Sequence, residues 1–366
     1  MADAARTMVA LHGTDVASLY LQACVRLQES SPESIGREMF EARSVLRLLA
    51  MRRTLFVVPV DEVATLHAAA SLAVGRRERE RTLAMFAAGG VGPDTAAMFD
   101  DLERIGLAAV RERGEATTAE LTALDPRLGQ RIALAAGKSY AGSISVSQKV
   151  FFHLALDGHI GRGRPRGSWT GSQVRWSPIE RWLPDGIPEM PTAVAQARLV
   201  GQWLRAFGPG TREDLRWWTG WTVAAVRAAL AANDAIEVDL DDGGTGWLLP
   251  DDVEPDPDPE PWVALLPALD ATTMGWTERA WYLGPYKAIV FDSNGNAGPT
   301  IGVDGRIVGG WAQRASGGVA TRLFEDIGRE ATTAVEREAA RLDAWLGDAR
   351  VRSSFPTPID IELRAS

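Results

Sequence analysis

Three stretches of this 366-residue chain repeat one order of elements: helical segments, a turn, an amphipathic helix, then short apolar strands joined by a tip rich in Gly or Arg. Such a recurrence restricts the fold more than any single segment does, because each copy has to bury the same apolar face in the same way. In the first stretch, Val45, Leu48, Leu49 and Met51 fall at helical spacing. The basic step Arg52 and Arg53 then leads into an apolar strand, Leu55 to Val58, stopped by Pro59. In the second, Phe99, Leu102, Ile105 and Ala109 mark a helix, Thr117 with Glu120 reads as a capping box, and SVSQKVFFHLALDG forms a further helix ended by Gly158. The strand and basic loop HIGRGRPRGSW follow. In the third, RLVGQWLRAFG ends at Gly208, Thr211 with Asp214 opens REDLRWWTG, and TVAAVRAALAAND runs into AIEVDL, the turn DDGG and the strand GWLL.

Helix, helix, helix and hairpin is the winged-helix arrangement. The pattern predicts an α+β chain with three tandem winged-helix domains at residues 1–92, 93–180 and 190–250. Residues 251–261 read as an acidic linker, because alternating proline and carboxylate keeps PDDVEPDPDPEP extended and self-repelling. From 262 to 366 the character turns to β. PWVALLPALD, RAWYLGPYKAIVF, TIGVDG and RIVGGWAQR are short apolar runs between turn signals, and they predict a small antiparallel sheet. A final helix, ATTAVEREAARLDAWLG, would pack Val335, Ala339, Leu342 and Leu346 against that sheet.

The net charge of −9 argues against a polyanionic partner until it is located. Between Asp234 and Glu260 lie 11 carboxylates and no basic residue, and without that stretch the chain carries +2. Double-stranded DNA therefore stays open as a partner, with modest and salt-sensitive affinity. A single cysteine, Cys24, excludes a disulfide framework and thiolate metal sites. His12, His67, His153 and His159 are scattered without metal-ligand spacing, and no phosphate-binding glycine loop or nucleophile elbow occurs. No metal and no nucleotide cofactor are expected. The N-terminus has neither a signal peptide nor an anchor, and no apolar run is long enough to span a membrane. The expectation is a soluble, cytoplasmic monomer.

Two constellations remain. In LHGTD, His12, Thr14 and Asp15 crowd ahead of a helix that starts near Val16. Asp15 suits an N-cap. Equally, an imidazole, a hydroxyl and a carboxylate at a helix N-terminus can hold and polarise a water molecule. In GRGRPRGSWTGSQVRW, Arg162, Arg164, Arg166 and Arg175 accompany Ser168, Trp169, Ser172, Gln173 and Trp176, with no acid between Asp157 and Glu180. Arginines on a glycine-rich tip suit phosphate contacts, and the neutral side chains add donors. A solvated basic wing around a structural Trp is the alternative reading. Arg52 and Arg53 join the candidate DNA contacts.

The segments LRLLAMRRTLFVVP, GRPRGSW, RAFGPGTREDLRWWTGWT, DATTMGWTERAWYLGP and NGNAGPTIGVDGRIVGGWAQR together resemble the winged-helix DNA-binding domain family related to the AlkZ and YcaQ DNA glycosylases. The resemblance runs from about Val9 to Pro358. It implies a C-shaped arrangement of three winged helices with DNA on the concave face, and excision of bulky N7- or N3-alkylated purines. It also implies crosslink unhooking or resistance to a DNA-alkylating natural product. Glycosylases of this family carry Gln-x-Gln or Gln-x-Asp ahead of the same helix; here His12 and Thr14 stand at the glutamine positions and Asp15 follows. By that alignment His12 orients or deprotonates the water, Asp15 stabilises the sugar cation and Thr14 assists. A neutral imidazole is needed for this, so activity is expected to fall below about pH 6. Two other functions fit the same residues: a DNA-binding protein without catalysis, such as a regulator or lesion shield, and a protein that sequesters a planar genotoxin on its Trp residues.

Overall fold

The computed structural model of the chain describes residues 1–92, 94–134, 142–171, 173–241 and 243–366. Two units emerge, a discontinuous one formed by Met1–Arg37 with Ala197–Ser366 and a continuous one, Glu38–Gln196. The N-terminal part of the discontinuous unit holds α1 (Ala2–Thr7), β1 (Leu11–His12), α2 (Val16–Arg26) and α3 (Pro32–Arg37). Helix α2 buries most of its surface, including the polar Ser18 and Gln22.

The continuous unit begins with the antiparallel pair β2 (Val45–Leu49) and β3 (Leu55–Pro59), in which Val45 faces Pro59 and Leu49 faces Leu55. Here the helix expected over Val45 to Met51 is a strand. Every residue of β2, Arg47 included, is buried, so both faces are covered and the period-two signal of a half-exposed strand is lost. The turn Met51–Arg53 places Arg52 and Arg53 at φ of 54° and 63°. Helices α4 (Val63–Leu66) and α5 (Leu72–Ala88) follow, joined by a wider helical turn, His67–Ser71. Next come α6 (Thr95–Arg113), β4 (Ala116–Thr117) and α7 (Thr118–Thr122), opened by the Thr117–Glu120 capping box. The pair β5 (Arg131–Leu134) and β6 (Gly142–Ser145) precedes α8 (Val146–Leu156), β7 (Ile160–Arg162) and β8 (Arg175–Pro178). Strands β4, β8 and β7 form one sheet in that order. Phe86, Phe99, Leu102, Val110, Leu121, Val150, Phe151 and Leu154 make the core between α5, α6, α7 and α8. Gly106 lets α6 approach α8, since a Cβ there would lie 2.9 Å from Phe151 Cε1.

The discontinuous unit resumes in α9 (Thr192–Phe207), α10 (Arg212–Thr219), opened by the Thr211–Asp214 capping box, and α11 (Val223–Ala231). A hairpin of β9 (Ile236–Asp239) and β10 (Thr245–Leu248) follows, and Gly210 bridges Trp247 on β10. Residues 251–261 carry no helix or strand and are almost wholly exposed. Arg205 on α9 pairs with Asp251 at 2.8 Å and Asp252 at 3.6 Å, which ties down the start of that segment.

A four-stranded antiparallel sheet, β11 (Val263–Leu266), β12 (Thr300–Val303), β13 (Arg306–Gln313) and β14 (Val319–Leu323), completes the unit. The expected strand RAWYLGPYKAIVF instead forms α12 (Ala280–Leu283) and α13 (Lys287–Val290). Each is four residues long, too short to show a helical period, and Gly284 at φ 60° breaks the run between them. Helix α14 (Arg329–Leu346) packs on β11 and β14 with Val335, Leu342 and Leu346 buried. It is not the last helix: α15 (Pro358–Ala365) follows and covers β13. Helix α2 also packs on β11, which joins the N-terminus to this unit.

Candidate functional site

His12, Thr14 and Asp15 occupy the loop between β1 and α2. The loop is held by Gln22, which is fully buried: its Oε1 accepts from the His12 amide at 3.2 Å and its Nε2 donates to the His12 carbonyl at 2.9 Å. A carboxamide that accepts from the N–H and donates to the C=O of one residue fixes the two peptide units flanking the His12 Cα. The His12 ring is mostly buried, with Nδ1 3.5 Å from the Thr14 amide, a long contact at the edge of hydrogen bonding.

Asp15 is 4% exposed, and both of its oxygens are engaged. Oδ1 accepts from the Ser18 amide at 2.8 Å and so caps α2. Oδ2 accepts from the Ser354 amide at 2.9 Å and the Ser354 hydroxyl at 2.5 Å. Asp15 thus performs the structural task of an N-cap and also fastens the segment before α15 to the start of α2. Beside it a cavity of about 20 Å³ is lined by Asp15, Ser18, Gln313, Arg352 and Asp360, among others. That is room for about one water molecule. Asp360 is buried there with Oδ2 lacking a hydrogen-bond partner, and burial raises its pKa above the usual carboxylate range.

The basic hairpin belongs to the continuous unit. Arg162 ends β7 opposite Trp176, and its guanidinium lies 4.9 Å from the centre of that ring. Trp176 is itself pinned, since Nε1 donates to Thr118 Oγ1 at 2.9 Å. Arg162 Nε is buried without a hydrogen-bond partner, and burial pushes the Arg162 pKa down to about 10. The tip is shaped by backbone bonds from Arg166 to Gln173 at 3.0 Å and from Gly171 to Ser168 at 2.9 Å. Arg166, Ser168 and Gln173 are exposed there and Trp169 is half-buried, while Ser172 lies outside the described residues.

Acids from elsewhere in the sequence reach this hairpin. Arg164 pairs with Glu41 at 2.8 Å and sits over the Phe40 ring at 5.5 Å. Arg175 and Arg181 both pair with Glu115 at 3.3 Å, and Ser177 Oγ donates to the same carboxylate at 3.2 Å. The absence of acids between Asp157 and Glu180 overstated the local charge. Arg166 is exposed, as Arg164 is, but makes no ion pair among the described residues. Arg53 pairs with Glu78 at 3.4 Å; Arg52 is exposed beside it on the β2–β3 turn.

The candidate catalytic residues lie in the discontinuous unit and the candidate DNA contacts in the continuous one. Gln22, Ser354, Glu41 and Glu115 escaped sequence reasoning. Gln22 left a trace, a polar residue inside the apolar run YLQAC. Ser354 left none, because 339 residues separate it from Asp15.

No curated protein matches the sequence. A solved structure, Streptomyces sahachiroi DNA glycosylase AlkZ, matches with a TM-score of 0.69 at 21% identity, covering 94% of this chain and 91% of that chain, so the two share a fold. A sequence profile described as DNA glycosylase AlkZ-like matches residues 5–345, and the chain belongs to the AlkZ-like DNA glycosylase family.

Proposed function

We propose that the protein hydrolyses the N-glycosidic bond of bulky N7- or N3-alkylated purines in double-stranded DNA. The observation that carries this reading is family membership over residues 5–345. An N7-alkylated purine is already cationic and leaves readily, so the protein need only position a water and stabilise an oxocarbenium-like sugar. A buried imidazole on a backbone locked by Gln22 suits that light task. His12 orients or deprotonates the water with Thr14 assisting, and the Asp15 carboxylate supplies negative charge toward the sugar while its hydrogen bonds hold the loop. Unhooking of crosslinks and self-protection against a DNA-alkylating natural product are the roles that such chemistry would serve.

The DNA contacts are proposed to come from winged helices. In the order α6, β4, α7, α8, β7, β8, with the β5–β6 pair inserted before α8, the short strand before the second helix pairs with the last strand. In α9, Gly210, α10, α11, β9, β10, Gly210 pairs with the last strand in the same way. A capping box opens the second helix in both. Along the chain α1, β1, α2, α3, β2, β3 repeats the order. Helix α8 buries eight of its 11 residues, so the hairpin rather than this helix is left to meet phosphate.

A second reading, DNA binding without base release, is favoured by Asp15, whose oxygens are committed to three donors. Incubation with N7-alkylated duplexes decides between them: released alkylguanine supports the glycosylase, and salt-dependent binding with intact bases supports the binder.

A further inference from the structure

Two arginines of the discontinuous unit, Arg26 half-buried and Arg279 buried, differ in one respect. Both terminal nitrogens of Arg26 are satisfied. They donate to Asp270 at 2.8 and 2.7 Å, to Thr272 Oγ1 at 3.1 Å and to the Gln22 carbonyl at 3.2 Å. Arg279 is 7% exposed, and its Nε is buried without a hydrogen-bond partner among the described residues. Its guanidinium carbon lies 5.0 Å from the centre of the Trp217 ring and 4.6 Å from that of Phe291. Both rings pack with the core of this unit. Ring faces attract the positive charge but take up none of its five N–H donors.

Of the groups that act on Arg279, Asp214 and the Tyr282 hydroxyl are already engaged, and the exposed Glu278 carboxylate attracts it without forming an ion pair among the described residues. Asp214 Oδ1 accepts from the amides of Thr277 at 2.7 Å and Glu278 at 2.9 Å. Its Oδ2 accepts from the Thr211 amide at 3.0 Å and hydroxyl at 2.7 Å. Asp270 is held by Arg26 and by the Thr272 amide at 2.9 Å. The Tyr282 hydroxyl donates to the Thr273 carbonyl at 3.1 Å. Desolvation accordingly depresses the pKa of Arg279. A guanidinium with a buried, unpartnered N–H is costly to keep unless a ligand completes it.

We propose that Arg279 is an anchor for a phosphate-class oxyanion, which completes the hydrogen bonds that the protein withholds. The planar fork of a guanidinium matches a phosphate with two parallel bonds. Two residues further on, Trp281 is 64% exposed yet fixed: Nε1 donates to the Glu278 carbonyl at 3.1 Å, and the ring contacts Trp276 at 5.2 Å and Tyr282 at 4.9 Å. One segment therefore offers a phosphate donor and an aromatic platform, the pair of contacts that a nucleic-acid strand uses. A strand phosphate is the expected source of the anion, and free inorganic phosphate supplies the same chemistry. The site stands whether or not the protein releases bases.

The test uses the full chain, its Arg279→Met variant and two probes. Inorganic phosphate is titrated at constant ionic strength while thermal unfolding is followed, and an unmodified duplex is bound across a salt series. Wild type is expected to show a saturable rise in Tm with phosphate that chloride does not reproduce, and Arg279→Met to abolish it. A strand phosphate also lowers the slope of log K against log salt by about 0.9 in the variant. A lost phosphate response with an unchanged slope assigns the site to the free anion and still supports it. Where Arg279→Met does not fold, Arg279→Gln takes its place. A variant that matches wild type in both the phosphate response and the salt slope overturns the proposal and leaves Arg279 as packing.

Discussion

Ser354 donates twice to one oxygen of Asp15, from its amide at 2.9 Å and from its hydroxyl at 2.5 Å, across 339 residues of sequence. The residue that caps α2 beside His12 is therefore also the residue that fastens the chain ahead of α15.

Ser354→Ala removes the hydroxyl bond and keeps the amide bond, so it is expected to cost about 1–2 kcal/mol in urea unfolding. Asp15→Ala removes the cap as well and leaves the Ser18 amide without its acceptor. A further cost of about 1 kcal/mol is expected there. Equal stabilities for wild type and Asp15→Ala would show that the carboxylate holds neither element.

Gly106→Ala places a methyl group 2.9 Å from Phe151 Cε1, and both residues sit in the packed interface of α6 and α8. Overpacking of about 1–3 kcal/mol is expected, measured as a lower Tm. Alanine at this position in a helix interior would otherwise stabilise, so an increase in Tm contradicts the packing described.

The buried His153 and the half-buried Glu103, both near Arg79, predict opposing pH dependences. Burial and the nearby Lys149 and Arg79 push the pKa of His153 down to about 4, and its Nε2 shares a 3.0 Å hydrogen bond with Thr82 Oγ1. A depressed base contributes stability that is complete above its unfolded value, near 6.5, and is lost as pH falls toward 4. Burial raises Glu103 to about 7 despite the Arg79 ion pair at 2.8 Å. A raised acid contributes stability present below its unfolded value, near 4.5, and lost as pH rises through 7. Urea midpoints of Glu103→Gln are expected to fall more steeply toward acid than those of wild type, and His153→Gln to decline more steeply from pH 4.5 to 7. Identical pH profiles for the three proteins contradict the assignment.

Among the hairpin arginines, Arg166 is exposed without an ion-pair partner among the described residues, whereas Arg164 and Arg175 are paired with Glu41 and Glu115. Arg166→Ala is expected to reduce the salt slope of duplex binding by about 1 without altering Tm. Glu115→Gln frees Arg175 and Arg181 and is expected to tighten binding at low salt. Binding that ignores both substitutions removes the hairpin from the DNA interface.

Much of this fold was legible because it rests on local chemistry. The Thr117–Glu120 and Thr211–Asp214 boxes, the β9–β10 hairpin and the amphipathic face of α14 follow from residues three to four apart or from a single turn. Illegible were features whose cause is distant. Full burial of β2 erased its alternation, so Val45 to Leu49 mimicked a helix. The four-residue helices α12 and α13 were too short to carry a period. At the site, the capping geometry of Asp15 could be read from LHGTD, but not the second role that Ser354 gives it. The charge of the hairpin was legible and its partial neutralisation by Glu41 and Glu115 was not, for the same reason.

The most direct measurement of the proposed chemistry is mass-spectrometric detection of base released from a duplex carrying a bulky N7-alkylguanine, with wild type and His12→Ala compared at pH 7.5. The expected result is alkylguanine and an abasic site with wild type, falling by about 100-fold or more in the variant, the loss typical of a group that takes a proton in the transition state. Release at the same rate by both proteins, or by neither while the duplex is bound, contradicts the assignment of His12 as the residue that activates water.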